Sequence, residues 1–483
     1  MVHLGPKKPP SRKGTAEYPT DLQHLVDRFE KLLTVSTEKL KEIVDHFVNE
    51  LHKGLSKEGG SIPMNVAWVM DYPDGTEKGT YLALDMGGTN LRVAQITLNG
   101  KRGFDVTQSK YPLPEHIKTG TADELWDHIS DAISRFLEKN HLTECKDLYI
   151  GFTFSYPATQ HAINHGILQT WTKGFDITGV EGHDVVVQLQ ASLDRKNVPV
   201  KVGAIINDTT GTLVASNYVD PLTQMGCIFG TGCNAAYYDR VCNIPKLEGK
   251  LSDDIGPDSW MAINCEYGAF DNEHVVLPRT KYDVALDQAS PRPGQQTFEK
   301  MIAGYTLGEI MRLILLDCVE EGHIFLNQDV DKLSEPFIIN AEALSKIEED
   351  PWENLSDTDA LFLQVFGITT TEPERNFIRR LAELIGTRAA RLSMCGVAAM
   401  VKKMNMKHAH AGADGSVYNK YPHFEARGAQ ALKEIFDWTF EPTEYPIRVV
   451  PAEDGSGVGA AIIAALTAKR IAAGLSVGEK GIH

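Results

Sequence analysis

Residues 80–98 read TYLALDMGGTNLRVAQITL. Apolar residues flank a glycine-rich centre on both sides, which predicts two strands joined by a tight turn at Gly87, Gly88 and Thr89. Residues 225–238, MGCIFGTGCNAAYY, repeat that plan around Gly230, Thr231 and Gly232. Two similar hairpins predict two related halves, and helix-like stretches such as 121–139 and 298–319 alternate with strands after each, so both halves read as α/β. Any tight hairpin can use such glycines. Glycine also lets successive backbone N–H groups close on an anion, so two turns of this kind can clasp one polyphosphate from both sides. The pattern is neither a Walker A loop nor a dinucleotide fingerprint, because it lacks the GK[ST] ending and opens no helix. Asp85, at the end of the first strand, is a poor neighbour for bare phosphate and a sensible one for the Mg²⁺ that accompanies nucleotide. Arg92 and Lys173 are candidate positive partners.

Outward from the hairpins, the chain of 483 residues exceeds what one core usually serves, so two domains are expected. A formal charge of −17 opposes broad nucleic-acid binding and adsorption to anionic membranes, and leaves a local phosphate pocket open. Seven cysteines without a CxxC pair disfavour a disulfide framework, and no signal-peptide core follows Met1; both fit a reducing, cytoplasmic setting. GVGAAIIAALTA at 457–468 is stopped by Lys469 and Arg470 and is too short to span a bilayer, so it reads as a buried helix. MVHLGPKKPPSRKGT carries Lys7, Lys8, Arg12 and Lys13 among prolines and reads as a flexible basic tail. Residues 22–55 carry apolar residues at helical spacing, enough for two amphipathic helices, and 374–404 is strongly helical.

Three further stretches carry chemistry. In VGAIINDTTGTLVAS, 202–216, a buried strand ends at Ile206 and Asn207 and Asp208 arrive together before a helix. Either Asp208 or Thr209 caps that helix, or Asp208 faces a ligand, since ligands of open α/β sheets bind outside the carboxyl ends of strands. Residues 150–175, IGFTFSYPATQHAINHGILQTWTKGF, set Ser155, Thr172 and Lys173 among aromatics with no helix or strand periodicity, which suits a binding loop; an irregular loop with satisfied hydroxyls is the plainer reading. AEDGSGVGAA, 452–461, leads into a helix whose N-terminus either binds phosphate or is capped by Ser456.

LALDMGGTNLRV, the FTFSYP to WTKGF stretch, IINDTTGT, IFGTGCNAAYY, INCEYGAFDNE, GQQTFEKMIAGYTLGE and DGSVYNKYPHF occur in that order. Together they resemble the eukaryotic hexokinases, most of all the single-unit fungal form, over nearly the whole chain. The resemblance implies a two-domain actin-like ATPase (ribonuclease H-like) fold, with large and small α/β domains around a cleft. It divides the chain into a tail, 1–20, a large domain, 21–72 with 209–454, and a small domain, 73–208 with 455–483.

By motif, the resemblance makes Asp208 the catalytic base, assisted by Lys173, and assigns Ser155, Thr172, Lys173, Asn207, Asn234, Glu266 and Glu299 to a hexose site. It gives Asp85, Gly87, Gly88, Thr89, Asn90 and Arg92 to one phosphate turn and Gly230, Thr231 and Gly232 to the other. Thr387, Gly415 and Ser416 border the adenosine, and Asp85 meets magnesium through water. Implied with these are ATP and Mg²⁺ and transfer to the 6-hydroxyl of glucose, fructose and mannose. From the residues themselves, Thr15 follows Arg12 and Lys13 in a context that basic-directed protein kinases favour, and phosphate there is expected to alter a homodimer contact made by the tail. The alternative is a sugar-responsive regulatory or binding protein on the same fold.

Overall fold

The computed structural model describes residues 20–482 apart from Lys146 and Lys173. Its strands are β1 (Asn65–Met70), β2 (Lys78–Met86), β3 (Asn90–Asn99), β4 (Phe104–Pro112), β5 (Leu148–Thr153), β6 (Ala158–Ala162) and β7 (His165–Leu168). They continue as β8 (Val200–Ile206), β9 (Thr223–Phe229), β10 (Cys233–Arg240), β11 (Trp260–Asn264), β12 (Ala409–Asp414) and β13 (Ile447–Pro451). One sheet runs β4-β3-β2-β5-β8, the other β1-β11-β10-β9-β12-β13.

The two sheets share a plan. In the first, β2, β3 and β4 form an antiparallel meander and β5 and β8 add in parallel beside β2. In the second, β9, β10 and β11 form the meander and β12 and β13 add in parallel beside β9. The glycine turns join β2 to β3 and β9 to β10, so they occupy equivalent corners of the two halves. The first sheet has its own apolar core, in which Leu82, Leu84, Val93, Ile150 and Phe152 pack on Ile129, Ile133 and Phe136 of the helix Ala122–Lys139. Thr121 and Glu124 begin that helix with reciprocal hydrogen bonds to each other's backbone, as the periodicity of 121–139 predicts.

Around the second sheet lie the amphipathic helices Thr20–Leu33 and Thr37–Leu55 and the 32-residue helix Glu372–Lys403. The last is long and apolar enough to cross a membrane, but its apolar window is wholly buried in the protein, as befits a core helix. Residues 298–319 form two helices, Thr297–Ile302 and Gly304–Glu320, because the chain turns extended at Ala303. The 150–175 stretch is more regular than its composition suggests: β6 and β7 pair as a small hairpin within it.

The helix Asp208–Val219 and the turn that opens the helix Ala460–Ala472 cross between the sheets. Glycine is required at this crossing. A Cβ on Gly211 would lie 2.3 Å from Gly455 O, and one on Gly459 would lie 2.2 Å from Gly211 O. Nearby, residues 476–480 form a strap. Val477 O accepts from Ile163 N (2.9 Å) and Glu479 N donates to His161 O (2.7 Å), on the β6–β7 hairpin. Lys480 N donates to Lys250 O (2.7 Å), and Ser476 N and Oγ donate to Asp254 (2.9 and 2.7 Å), both in the loop between β10 and β11.

Candidate functional site

β8 is apolar and buried from Val202 to Ile206, where the chain emerges and turns into a helix. Neither Asp208 nor Thr209 caps that helix. Asn207 does, its side chain accepting from Thr209 N at 2.8 Å, so Asp208 becomes the first helical residue with its carboxylate spared for other work. Asp208 N donates to Ser155 Oγ (3.3 Å), and Thr209 Oγ1 donates to Asp208 Oδ1 (3.2 Å). Ser155 and Thr172 are half-buried in loops walled by Phe154, Tyr156, Trp171 and Phe175, with Trp171 stacked on Phe175 at 5.5 Å. Lys173 lies outside the described residues.

Glu266 and Glu299 approach from the other half. Glu266 follows β11 in the left-handed region (φ 55°), and its backbone N donates to Asn234 Oδ1 (2.9 Å). Oε1 of Glu266 accepts from Asn234 Nδ2 and from Asn264 Nδ2, each at 2.9 Å. Asn234 therefore engages inside a side-chain cage, with its Nδ2 also donating to Asn264 Oδ1 at 2.8 Å. Asn264 is a member that motif reading missed; a buried amide two residues before a buried acid is its only local signal. Glu299 stands on the helix Thr297–Ile302, and its Oε2 accepts from Cys233 N (2.8 Å) in the second glycine turn.

These carboxylates share one low-dielectric space. Burial pushes the Glu266 carboxyl above its ordinary range, the Asn264 amide opposes the rise, and the charges of Asp208 and Glu299 add to it. Burial raises Glu299 too, against the pull of Cys233 N–H and Lys300. The Cys233 thiol, buried and facing both acids, is pushed well up and stays protonated. Convergent carboxylates and amides of this kind grip a polyol, whose hydroxyls each donate and accept.

Gly87, Gly88, Thr89 and Asn90 form the exposed first turn, closed by Gly87 N donating to Asn90 O (3.0 Å). Arg92 is not an idle cation waiting for phosphate. Its Nη1 and Nη2 meet Asp454 at 2.7 and 2.9 Å, and Nη2 reaches Asp85 at 3.4 Å. Asp454 was not singled out by the sequence. It also caps the 455–459 turn by accepting from Gly457 N (3.0 Å), the role expected of Ser456, whose carbonyl instead accepts from Thr153 Oγ1 (2.9 Å). In the second turn Gly230 O accepts from Gly304 N (2.8 Å), Thr231 is exposed, and Gly415 (φ 113°) packs its backbone against Phe229 and Gly230 with Ser416 exposed beside it. Thr387 stands at 2% exposure in the body of the helix Glu372–Lys403, so its side chain is buried in this conformation.

Among the described residues no group of three or more His, Cys, Asp or Glu side chains could hold a metal ion. Asp85 suits magnesium in a different way. It is a single, partly exposed carboxylate next to the first glycine turn, and Mg²⁺ typically takes one or two carboxylates while keeping waters and phosphate oxygens.

Family models described as hexokinase match residues 25–218 and 224–466. The chain is 60% identical to the hexokinase of Kluyveromyces lactis and 59% identical to Hexokinase-2 of Saccharomyces cerevisiae, with all of each chain covered in both cases. It is also similar to the solved structure of a hexokinase from Schistosoma mansoni complexed with glucose, at TM-score 0.79 and 34% identity over 92% of this chain and 100% of that one. The paired sheets, each with its glycine turn, are those of the two-domain actin-like ATPase fold. With matches that take in both sheets, and relatives this similar along the whole length, the chain belongs to the hexokinase family.

Proposed function

We propose that this hexokinase transfers the γ-phosphoryl group of Mg-ATP to the 6-hydroxyl of glucose, and also of fructose and mannose, with Asp208 as general base. The observation that carries the reading is the juxtaposition of Asp208, free of capping duty, with Glu266 and Glu299 across the space between the two halves. Glu266, Glu299, Asn234, Ser155, Thr172, Lys173 and Asn207 hold the sugar hydroxyls. Asp208 takes the proton of the 6-hydroxyl as its oxygen attacks the γ-phosphorus, and ADP departs in line. The turns Gly87–Asn90 and Gly230–Gly232 offer backbone N–H groups to the phosphates, with Gly415 and Ser416 toward the adenosine. Asp85 would hold magnesium through water, which when bound screens the phosphate charge. A non-catalytic regulatory protein finds no support in the comparisons.

The domain division follows from the same reading: 21–72 with 209–454 on one side and 73–208 with 455–483 on the other, closing on the sugar. The protein works in the cytoplasm. The tail, including Thr15, lies outside the described residues. Phosphate on Thr15 alters self-association, and sedimentation of wild type against Thr15→Glu tests it; equal monomer–dimer balance overturns it. The catalytic assignment rests on Asp208→Ala. Its kcat falls by roughly 10²–10⁴-fold while calorimetry still detects glucose binding. Near wild-type turnover would remove Asp208 from the mechanism.

A further inference from the structure

Asn264 closes β11, is 8% exposed, and touches the site only through Glu266 and Asn234. The geometry around it is closed. Asn264 Nδ2 donates to Glu266 Oε1, Asn234 Nδ2 donates to the same oxygen and to Asn264 Oδ1, and Asn234 Oδ1 accepts from the backbone N of both Ala235 and Glu266. The bonds that reach Glu266 fall on its Oε1 or its backbone N, and among the described residues no group bonds Glu266 Oε2. Glu266 also sits in a left-handed conformation that a residue with a side chain adopts only when its surroundings impose it.

We propose that Asn264 is a positioning residue for sugar recognition: its amide pins Glu266 Oε1 and turns Oε2 toward the sugar hydroxyls. The inference rests on Glu266 being a sugar ligand. A second duty follows from the same contact. Glu266 faces Asp208 from the helix Asp208–Val219, Glu299 from the helix Thr297–Ile302, and the protonated thiols of Cys233 and Cys265. Like charge and burial favour a proton on Glu266, and the amide N–H of Asn264 favours the ionised acceptor instead. An ionised oxygen accepts the stronger hydrogen bonds from sugar hydroxyls.

The test is glucose binding by calorimetry, with kcat and KM for glucose and ATP, between about pH 5.5 and 8.5 for wild type, Asn264→Ala, Asn264→Asp and Glu266→Gln. Losing one hydrogen bond to a charged group predicts a glucose KM raised about tenfold or more in Asn264→Ala, with kcat and the KM for ATP within about threefold. The acid limb of glucose affinity moves to higher pH in the same variant. Asn264→Asp sets a second carboxylate against Glu266, so it binds glucose poorly at the alkaline end and recovers as one shared proton returns. Thermal unfolding is followed throughout, and Asn264→Asp alone decides the question if Asn264→Ala does not fold. An unchanged glucose KM, or a rise equal at every pH in both variants, overturns the proposal and leaves Asn264 a strand-end filler. Undiminished glucose affinity in Glu266→Gln overturns it differently, by removing Glu266 from the sugar site.

Discussion

Gly232→Ala isolates the tie between the second glycine turn and the sugar site. A Cβ at 232 would lie 2.7 Å from Glu299 Oε2 and 3.3 Å from its Cδ, inside van der Waals contact. What it meets is the end of a flexible side chain, and Gly232 is not in the left-handed region, so the turn keeps its path and Glu299 swings away. The swing breaks the 2.8 Å bond from Cys233 N to Glu299 Oε2. Displaced in this way, Glu299 also loses its bond from a sugar hydroxyl, and a hydrogen bond to a charged group contributes about 1.5–3 kcal/mol, which at about 1.4 kcal/mol per decade is roughly a 10- to 100-fold weaker glucose Kd. Isothermal titration with glucose reads that number. Thermal unfolding of the sugar-free protein serves as the control: losing the bond from Cys233 N, set against the unfolding entropy of 483 residues, is expected to lower the midpoint by only about 1–3 °C. Wild-type glucose affinity with an unchanged unfolding midpoint would refute the reasoning, since Glu299 would then have no share in holding the sugar.

Burial raises the Glu266 carboxyl, so a proton there stabilises the sugar-free fold fully below the ordinary glutamate value, and that stability is lost as pH rises through the raised value. Glu266→Gln is therefore expected to unfold at a higher temperature than wild type at about pH 7.5, with the gap narrowing toward about pH 4; a lower midpoint at neutral pH counts against it. Asp454→Asn breaks a partly exposed ion pair with Arg92, which after solvent screening predicts a KM for ATP about fivefold higher and an unaltered glucose Kd. A wild-type KM for ATP would show that Arg92 does not depend on Asp454. Closure of the two halves should reduce the radius of gyration when glucose binds, and xylose, which lacks the 6-hydroxymethyl group, should raise ATP hydrolysis by leaving room for a water beside Asp208. Scattering curves that coincide, together with no xylose effect, would exclude closure.

The duplicated architecture was legible in two glycine turns because a hairpin's signal is local: a few residues decide whether the chain reverses. Strand Val200–Ile206 and its acidic exit were legible for the same reason. What was not legible depends on groups far apart in sequence. Asp454 reads as one acid in a glycine-rich run, and only the fold brings it to Arg92, 362 positions away. Glu299 by periodicity is an ordinary helix charge, and only its family motif marks it; its burial comes from the turn at 230–232 packing over it. Residue type points to Asp208 or Thr209 as the cap, since both have suitable oxygens; the backbone is instead extended at Asn207 (φ −83°, ψ 149°) and helical from Asp208, so the cap falls one residue earlier than either. Thr387 shows the converse, a polar residue whose motif suggests a ligand and whose helix buries it.

The strap formed by residues 476–480 makes one end of the molecule mechanically unlike the other. It is bonded to the β6–β7 hairpin on one flank and to the loop before β11 on the other, like a stitch drawn through two cloths. An affinity tag or fluorescent reporter fused just beyond it would tug on both fabrics at once, whereas a fusion ahead of the helix Thr20–Leu33 loads a single one. Sugar affinities and closure amplitudes taken from proteins tagged at opposite ends are therefore not interchangeable. A reporter of closure is best attached at the strap, where the seam itself transmits the movement.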